Sequence, residues 1–301
     1  MDNLLDYSSS LIALKRSLKK DSTADMYRAT HNHLCAFVGS DCLPFSSVTA
    51  AFVEHFRSGL VQAGLAVNSV NSYLSCFRAI YNSAVREELF QPSKNPFFRL
   101  RLKREITAKR ALPLSVLKEA CHLKLSEPEL VRSRDYYLFS FLTCGMAFVD
   151  LAHLTLDNIV GSEIVYNRRK TGTQVRVGIT PGIRTLLRRY SSPDSRYLFP
   201  LLHGDGSHEV YKASLAGHNG CLKEIGLRLH VPVRLTSYVA RHSWATEALR
   251  QNIPVAVISQ ALGHTSEKTT RYYLDLLDQS ELNKANARIT RTIAELVNCI
   301  G

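Results

Sequence analysis

Four segments of the chain hold side chains whose types and spacing could act on a phosphate group. They are CGMAFVDLAHL (144–154), YNRRKTGTQVRV (166–177), TSYVARHSWATEAL (236–249) and ISQALGHTSEKTTRYYLDLL (258–277). Arginine offers a planar fork of N–H donors that matches phosphate geometry. Taken alone, each segment has an ordinary structural explanation: a turn before a core helix, a solvated charge cluster, a capping arginine, or the turn of a helix-turn-helix motif. Only their combination in one chain favours a reactive site.

No sequence pattern indicates a cofactor. The chain contains neither GxxxxGK[ST] nor a dinucleotide-binding fingerprint. Asp135, Asp150 and Asp157 differ too much in context to suggest a two-metal site. We therefore expect chemistry carried by side chains, with no cofactor and no metal.

Net charge is the first indication of a partner. The 301 residues include 38 basic and 26 acidic side chains, a net charge of +12, and the basic excess is shared between residues 1–105 and 106–301. Nucleic acid is the commonest partner of so basic a chain, although a soluble protein can also be merely basic. A DNA-binding surface formed by both halves explains this distribution better than a basic tail does.

The cysteines and the N-terminus bear on the cellular compartment. The seven cysteines are odd in number and never form a CxxC pair, which disfavours a disulfide framework and a zinc ribbon. No apolar run approaches the roughly 18 residues of a membrane helix. The first twenty residues do not resemble a secretory signal, because acidic residues precede the first basic ones. We expect a cytoplasmic protein with no membrane association.

The elements that must position the four segments follow from hydrophobic periodicity. Apolar residues three or four apart predict helices over 21–37, 47–63 and 68–89, and four helices of this size form a compact bundle. We place this helical domain at residues 1–92. Residues 93–113 are rich in lysine and arginine and are bounded by prolines, so we predict a basic interdomain linker that either lies along phosphates or is simply solvated.

Residues 114–301 are predicted to form a second domain that is mostly helical with a small sheet. Alternating β-branched residues over 159–168 and 174–179, on either side of Lys170-Thr171-Gly172-Thr173, predict a β-hairpin. Helices are predicted over 114–123, 135–143, 183–190, 215–226, 239–251, 255–262 and 267–277, with a C-terminal helical pattern over 278–301. The predicted fold class is therefore mainly α with a small antiparallel β-sheet.

A hairpin lysine, a helix-borne arginine, an LGH tripeptide and a tyrosine nine residues after that histidine occur here in that order. This arrangement resembles the tyrosine site-specific recombinases, the phage integrase family. ARHSWAT and LGHTSEKTTRYY are the most specific strings, and GMxFxDL with RxKTG is similar to the branch of Bacteroidales mobile elements and DNA invertases. The resemblance covers nearly the whole chain. It implies a helical, SAM-like core-binding domain, a linker and a catalytic domain.

The resemblance also implies an activity and a set of partners. The expected enzyme cuts and rejoins double-stranded DNA through a 3′-phosphotyrosyl intermediate, for integration, excision or inversion. It acts as a homotetramer on two recombination sites, with an accessory DNA-bending protein as a candidate partner. The C-terminal helix would dock on a neighbouring protomer or pack within its own chain.

Family roles can be carried over residue by residue. Tyr273 matches the nucleophile, and Tyr272 is the adjacent alternative. Arg241 and His264 match donors to the phosphate, and Lys170 matches the general acid of the hairpin. An acidic residue of the first motif, here Asp150, supports the site in the family without reacting.

Two positions depart from the family pattern. Tyr238 stands where HxxR begins with histidine, and a phenol with an ordinary pKa near 10 is a hydrogen-bonding group rather than a ready base. Ala147 stands where the first-motif arginine is expected. Because residues i and i+2 of a strand share a face, Arg168 could enter the site beside Lys170, whereas Arg169 should point away.

Three alternatives follow from these departures and from the bland explanations. One is a DNA-binding protein of recombinase fold with weak or no cleavage, because Ala147 is not an arginine. A type IB topoisomerase uses similar chemistry, but the spacing from LGH to tyrosine favours a recombinase. A helix-turn-helix repressor would explain the charge and LGHTSEKTT, but not the hairpin lysine.

Overall fold

The structure is a computed structural model in which the chain divides into two units, over residues 1–108 and 109–301. The described residues are 2–103, 105, 111–192, 194–204, 206–267 and 270. Tyr272, Tyr273 and the predicted C-terminal helix over 278–301 lie outside them. Within the described ranges, no helix combines the length and apolar composition that a membrane crossing requires.

The described part of the N-terminal unit contains four α-helices, and two of them begin at a residue whose side chain caps the helix. The helices are α1 (Leu4–Ser17), α2 (Asp21–Val38), α3 (Ala50–Gln62) and α4 (Val67–Arg86). The Asn3 side chain accepts a hydrogen bond from the backbone at the start of α1, and Thr49 does the same for α3. Gly39 ends α2 in the left-handed conformation, with φ of 68°. The three helices predicted by periodicity correspond to α2, α3 and α4.

The core of this unit is rich in aromatic rings. The ring of Phe77 on α4 lies edge to face against Phe56 of α3 and Phe97, with centroid distances of 5.6 Å and 5.0 Å. Phe97 and Leu100 are buried in this core. The stretch around them therefore belongs to the helical unit, although we predicted a linker from residue 93. We assigned this stretch to the linker because it is basic, but it also contains these two apolar residues. Full burial of one such side chain stabilises a fold by about 1.5–3 kcal/mol.

The chain that leaves this core is held along α4 by two asparagines. The Asn68 amide donates to the Glu105 carbonyl at 3.0 Å and accepts from the Glu105 amide at 3.2 Å. One turn later, the Asn71 amide donates to the Lys103 carbonyl at 2.9 Å. Asn68 and Asn71 are three residues apart on the helix, which corresponds to a rise of about 4.5 Å. Lys103 and Glu105 are two residues apart, which corresponds to about 6.6 Å in an extended chain. The two spacings are similar enough that a chain slightly inclined to the α4 axis can bond to both asparagines.

The C-terminal unit has seven described helices around a three-stranded sheet. The helices are α5 (Leu114–His122), α6 (Pro128–Leu142), α7 (Phe148–Ala152), α8 (Pro181–Tyr190), α9 (His208–Arg228), α10 (Ser237–Arg250) and α11 (Val255–Ala261). The strands are β1 (Ile159–Val160), β2 (Glu163–Asn167) and β3 (Gln174–Gly178), paired antiparallel in that order. The predicted fold class, mainly α with a small antiparallel sheet, is confirmed.

Alternation along the hairpin places one face of the sheet in the core. Ile164 pairs with Val177 and Tyr166 pairs with Val175, and all four side chains are buried. The segment predicted as one strand over 159–168 is two strands, because Gly161 turns the chain with φ of 60°. The second strand ends at Asn167, one residue before its predicted end.

A buried carboxylate joins α6 to α8 in the same unit. One oxygen of Asp135, Oδ2, accepts from Arg189 Nη1 at 2.6 Å and from the Tyr190 hydroxyl at 2.7 Å. The other accepts from Arg134. Asp135 is thus a structural ion-pair partner, since a buried charge is stable only when it is paired and hydrogen-bonded. Among the described residues, no group of three or more His, Cys, Asp and Glu could hold a metal ion.

Candidate active site

Arg241 lies at the centre of the site and is buried. It is on the second turn of α10 and is 2% exposed. Its Nη1 donates to the Gly145 carbonyl at 2.8 Å, and its Nη2 donates to the Leu262 carbonyl at 2.5 Å. Burial, followed by the charge of Arg168, lowers the pKa of Arg241 to about 10. The guanidinium therefore remains charged at neutral pH and is tied to two separate loops.

The turn that follows α6 approaches Arg241 so closely that only glycine fits. Gly145 has φ of 70°, and a Cβ there would lie 2.7 Å from Arg241 Cα and 3.0 Å from its Cγ. Both the left-handed conformation and the contact exclude a side chain. The glycine of the first motif is thus explained by the position of α10.

His264 is bonded directly to this arginine. Its Nε2 lies 3.0 Å from Arg241 Nη2, and its Nδ1 lies 2.8 Å from Thr270 Oγ1. Because a guanidinium only donates, Nε2 is the acceptor and Nδ1 carries the proton. Burial, followed by the charges of Arg241, Arg168 and Lys170, lowers the pKa of His264 to about 4. The imidazole is consequently neutral at pH 7.

Arg168 enters the same site from the hairpin. It is 6% exposed, and its Nη1 donates to the Gly263 carbonyl at 3.1 Å. Arg241 and Arg168 therefore bind the consecutive carbonyls of Leu262 and Gly263. A Cβ on Gly263 would lie 2.4 Å from Arg168 Cδ, so this glycine of the LGH motif makes room for the arginine. Nothing in the sequence alone indicated this role for Gly263.

The route by which Arg168 reaches the site differs from the predicted one. We argued that Arg168 and Lys170 share a strand face, but β2 ends at Asn167 and both residues belong to the turn. Arg168 turns inward whereas Lys170 and Arg169 are exposed. Tertiary hydrogen bonding to Gly263 replaces strand alternation as the reason for its orientation.

Asp150 is the buried counter-charge to this hairpin. Its Oδ1 accepts from the Arg169 backbone amide at 2.8 Å, and its Oδ2 lies 3.6 Å from Arg168 Nε. Neither Oδ2 nor Nε has a hydrogen-bond partner among the described residues. Burial raises the pKa of Asp150, while the amide and the nearby cations oppose that shift. One carboxylate thus supports the turn backbone and faces one of the two guanidinium groups.

Lys170 is located at the tip of the hairpin turn. Its side chain is exposed and makes no hydrogen bond or ion pair with the described part of the chain. Its charge nevertheless contributes to the lowered pKa of His264, so the ammonium lies within electrostatic range of that ring. An exposed cation beside a buried cationic site is suited to meeting a ligand that arrives from solvent.

Tyr238 lies one turn before Arg241 on α10. It is 46% exposed, and its ring lies edge to face with His242 at 4.6 Å between centroids. Burial raises its pKa, although the charges of Arg241 and Arg168 oppose the shift. The phenol is therefore protonated at neutral pH. Its assignment to the site stays a prediction, as does that of Tyr273, which lies outside the described residues.

Two models of known protein families match the chain. Residues 3–100 match the phage integrase SAM-like domain, and residues 115–280 match the phage integrase family. The chain belongs to the phage integrase family. This confirms the predicted family, and with it the function class of site-specific DNA recombination. The alternative of a recombinase-like protein that only binds DNA is not favoured, and the narrower Bacteroidales branch stays an expectation.

Individual relatives are distant but cover most of the chain. Tyrosine recombinase XerC of Halalkalibacterium halodurans is 25% identical over 275 residues, which covers 82% of this chain and 84% of that protein. A tyrosine recombinase of Pseudothermotoga lettingae is 23% identical over 301 residues, covering 95% and 98%. A crystal structure of a lambda integrase dimer bound to a COC′ core site has a TM-score of 0.67 at 14% identity, covering 89% and 94%. At this low identity, the similarity to the lambda integrase structure shows a shared fold only.

Proposed function

We propose that this protein is a catalytically competent recombinase that cuts and rejoins double-stranded DNA through a 3′-phosphotyrosyl intermediate. One observation carries the proposal: two buried arginines bind consecutive carbonyls beside a neutral histidine. Among the described residues beside these two cations, one buried carboxylate, Asp150, faces Arg168. Such an excess of fixed positive charge favours an anion, and the scissile phosphate of DNA supplies one.

In this proposal Arg168 replaces the arginine that the family carries in its first motif. Ala147 has no charge to offer at that place. Arg168 comes from a different element, but its charge acts directly on Arg241. Two guanidinium groups could therefore face the equatorial oxygens of a pentacoordinate phosphorus. The position of Arg168 supports an active enzyme over one that only binds DNA.

The reaction is a transesterification that conserves the number of phosphoester bonds. A bond forms between the Tyr273 oxygen and phosphorus, and the bond from phosphorus to the deoxyribose 5′-oxygen breaks. The phenol releases one proton to solvent water, and the leaving oxygen takes one from the Lys170 ammonium. Tyr238 keeps its own proton at neutral pH, so it serves as a hydrogen-bonding group to the phosphate. The second transesterification reverses these roles on another strand.

Assembly and location complete the proposal. Joining two duplexes requires four strand exchanges, so four protomers would act on two sites in the cytoplasm. Residues 278–301 would link neighbouring protomers as a docked helix, and a DNA-bending protein would assist where the two sites must be brought together. The structure of the lambda integrase dimer bound to a COC′ core site supports DNA as the partner.

Covalent trapping tests the proposal. The protein is incubated with DNA from its own genomic neighbourhood and denatured in detergent, and the DNA that remains attached to it is sequenced. We expect attachment at one reproducible sequence, which Tyr273→Phe abolishes and the matched Tyr272→Phe retains. Loss of DNA attachment with Tyr272→Phe instead would identify Tyr272 as the nucleophile. Binding of specific DNA without any attachment would contradict catalytic competence.

A further inference from the structure

The turn that carries Lys170 is closed by its own backbone. The Arg168 carbonyl accepts from the Thr171 amide at 3.2 Å and from the Gly172 amide at 2.7 Å, and the Arg168 amide donates to the Thr173 carbonyl at 2.8 Å. Gly172 has φ of 71°, the left-handed conformation that completes such a hairpin turn. The position of the Lys170 Cα is therefore fixed relative to β2 and β3.

Side chains on both sides of Lys170 also fix the turn to the rest of the unit. Before it, the Arg169 amide is bonded to Asp150 of α7. After it, Thr171 Oγ1 donates to the Gly263 carbonyl at 3.3 Å, and the same carbonyl accepts from Arg168. Two donors of the hairpin thus share one acceptor, which the loop after α11 supplies.

The turn is attached at α7 and at the loop that bears His264. The Lys170 side chain alone is left exposed, and its ammonium already influences His264. These attachments fix the backbone of the residue that carries the ammonium.

We propose that Thr171 is a positioning residue, which fixes the hairpin to Gly263 so that the Lys170 ammonium reaches the leaving 5′-oxygen. This inference rests on the proposed role of Lys170 as the general acid. Thr171 is exposed and outside the hydrophobic core, so its hydroxyl rather than its bulk does this work. Without the hydroxyl, the turn is held on one side of Lys170 only. A misplacement of about 1 Å in such a group can cost about 100-fold in rate.

A leaving group that needs no proton isolates this role. The substrate is the recombination site identified by trapping, made with oxygen or with sulfur at the 5′-bridging position of the scissile phosphate. A thiolate leaves without protonation, whereas an alkoxide requires the acid. Single-turnover cleavage of both substrates is measured for wild type, Lys170→Ala, Thr171→Val and Thr171→Ser. Thermal melting establishes that each variant folds.

We expect Thr171→Val to slow cleavage of the oxygen substrate by about 10- to 100-fold and to match wild type on the sulfur substrate. Lys170→Ala should show the same rescue by sulfur, and Thr171→Ser should retain the wild-type rate on both. Equal slowing of Thr171→Val on both substrates, or no slowing on either, would overturn the positioning role. Rescue of Lys170→Ala without rescue of Thr171→Val refutes this inference alone. Failure to rescue Lys170→Ala refutes the acid assignment and this inference together.

Discussion

At the scale of single residues, the site depends on how two guanidinium groups are held. Three N–H groups of Arg241 donate hydrogen bonds, to the carbonyls of Gly145 and Leu262 and to the His264 ring. Arg168 donates to the Gly263 carbonyl. These bonds to the protein's own backbone and to His264 orient the two cations. Preorganised donors of this kind stabilise a transition state without reorganising during the reaction.

Replacing Arg168 tests whether it compensates for Ala147. Arg168→Ala should lower the single-turnover cleavage rate by roughly 100- to 1000-fold while DNA binding persists, because one phosphate donor is lost. Arg168→Lys should also be slow, since an ammonium cannot reproduce the planar fork. Arg169→Ala is the matched control, because that side chain is exposed, and it should cleave near the wild-type rate. Unchanged cleavage by Arg168→Ala would mean that another group fills the gap.

At the scale of elements, the close approach of α10 to the turn after α6 positions Arg241. Gly145→Ala should lower the free energy of unfolding by more than the 1–2 kcal/mol of left-handed strain, because the added Cβ also collides with Arg241. Gly161→Ala is a matched control: it has φ of 60° but no atom within 4 Å of the added Cβ. Denaturant unfolding followed by the fluorescence of Trp244 compares the two variants. Equal destabilisation would show that the contact adds nothing to strain.

Substitutions on α4 test a second element, the attachment of residues 103–105 to this helix by hydrogen bonds. Asn68→Ala removes two hydrogen bonds to Glu105, so trypsin should cleave after Arg101 or Lys103 faster than in wild type. Asn82→Ala, also on α4, makes no hydrogen bond to the described linker residues and should leave the cleavage rate unchanged. The side-chain oxygen and nitrogen of Asn68 each make one hydrogen bond to the Glu105 backbone. Identical proteolysis of the two variants would contradict the holding role.

At the scale of the whole molecule, a buried histidine should set part of the pH dependence of stability. His218 on α9 stacks on Phe148 at 4.5 Å, and burial lowers its pKa to about 3. Above pH 6.5 neither the folded nor the unfolded state is protonated there. Between about pH 6.5 and 3 only the unfolded state gains the proton, so the free energy of unfolding falls by about 1.4 kcal/mol per pH unit.

His218→Phe should therefore flatten the loss of stability below pH 6.5. The variant keeps an aromatic ring against Phe148 but cannot bind a proton. Denaturant unfolding at pH 7 and pH 5, followed through Trp244 in the same unit, gives the two slopes. His122→Gln, at an exposed position on α5, should retain the wild-type slope. A wild-type slope in His218→Phe would show that other groups cause the acid sensitivity.

Much of the fold followed from the sequence, because helices and turns are encoded by near neighbours. The 3.6-residue periodicity located α2, α3 and α4, and the Lys170-Thr171-Gly172 turn located the hairpin. The order of motif residues also predicted the family. The same local logic missed the division of 159–168 by Gly161, where one residue in the left-handed conformation interrupts the strand.

The arrangement of the site was decided by tertiary structure. The sequence by itself determined which residue types are present and in which order, including the absence of an arginine at Ala147. It suggested Arg168 for the site through strand alternation, but it could not show the contact that turns Arg168 inward, because the acceptor, Gly263, is 95 positions away. Likewise, Gly145 and Arg241 meet only after α6 and α10 have packed. Burial and long-range hydrogen bonds depend on which distant segments are brought together, and local patterns do not encode them.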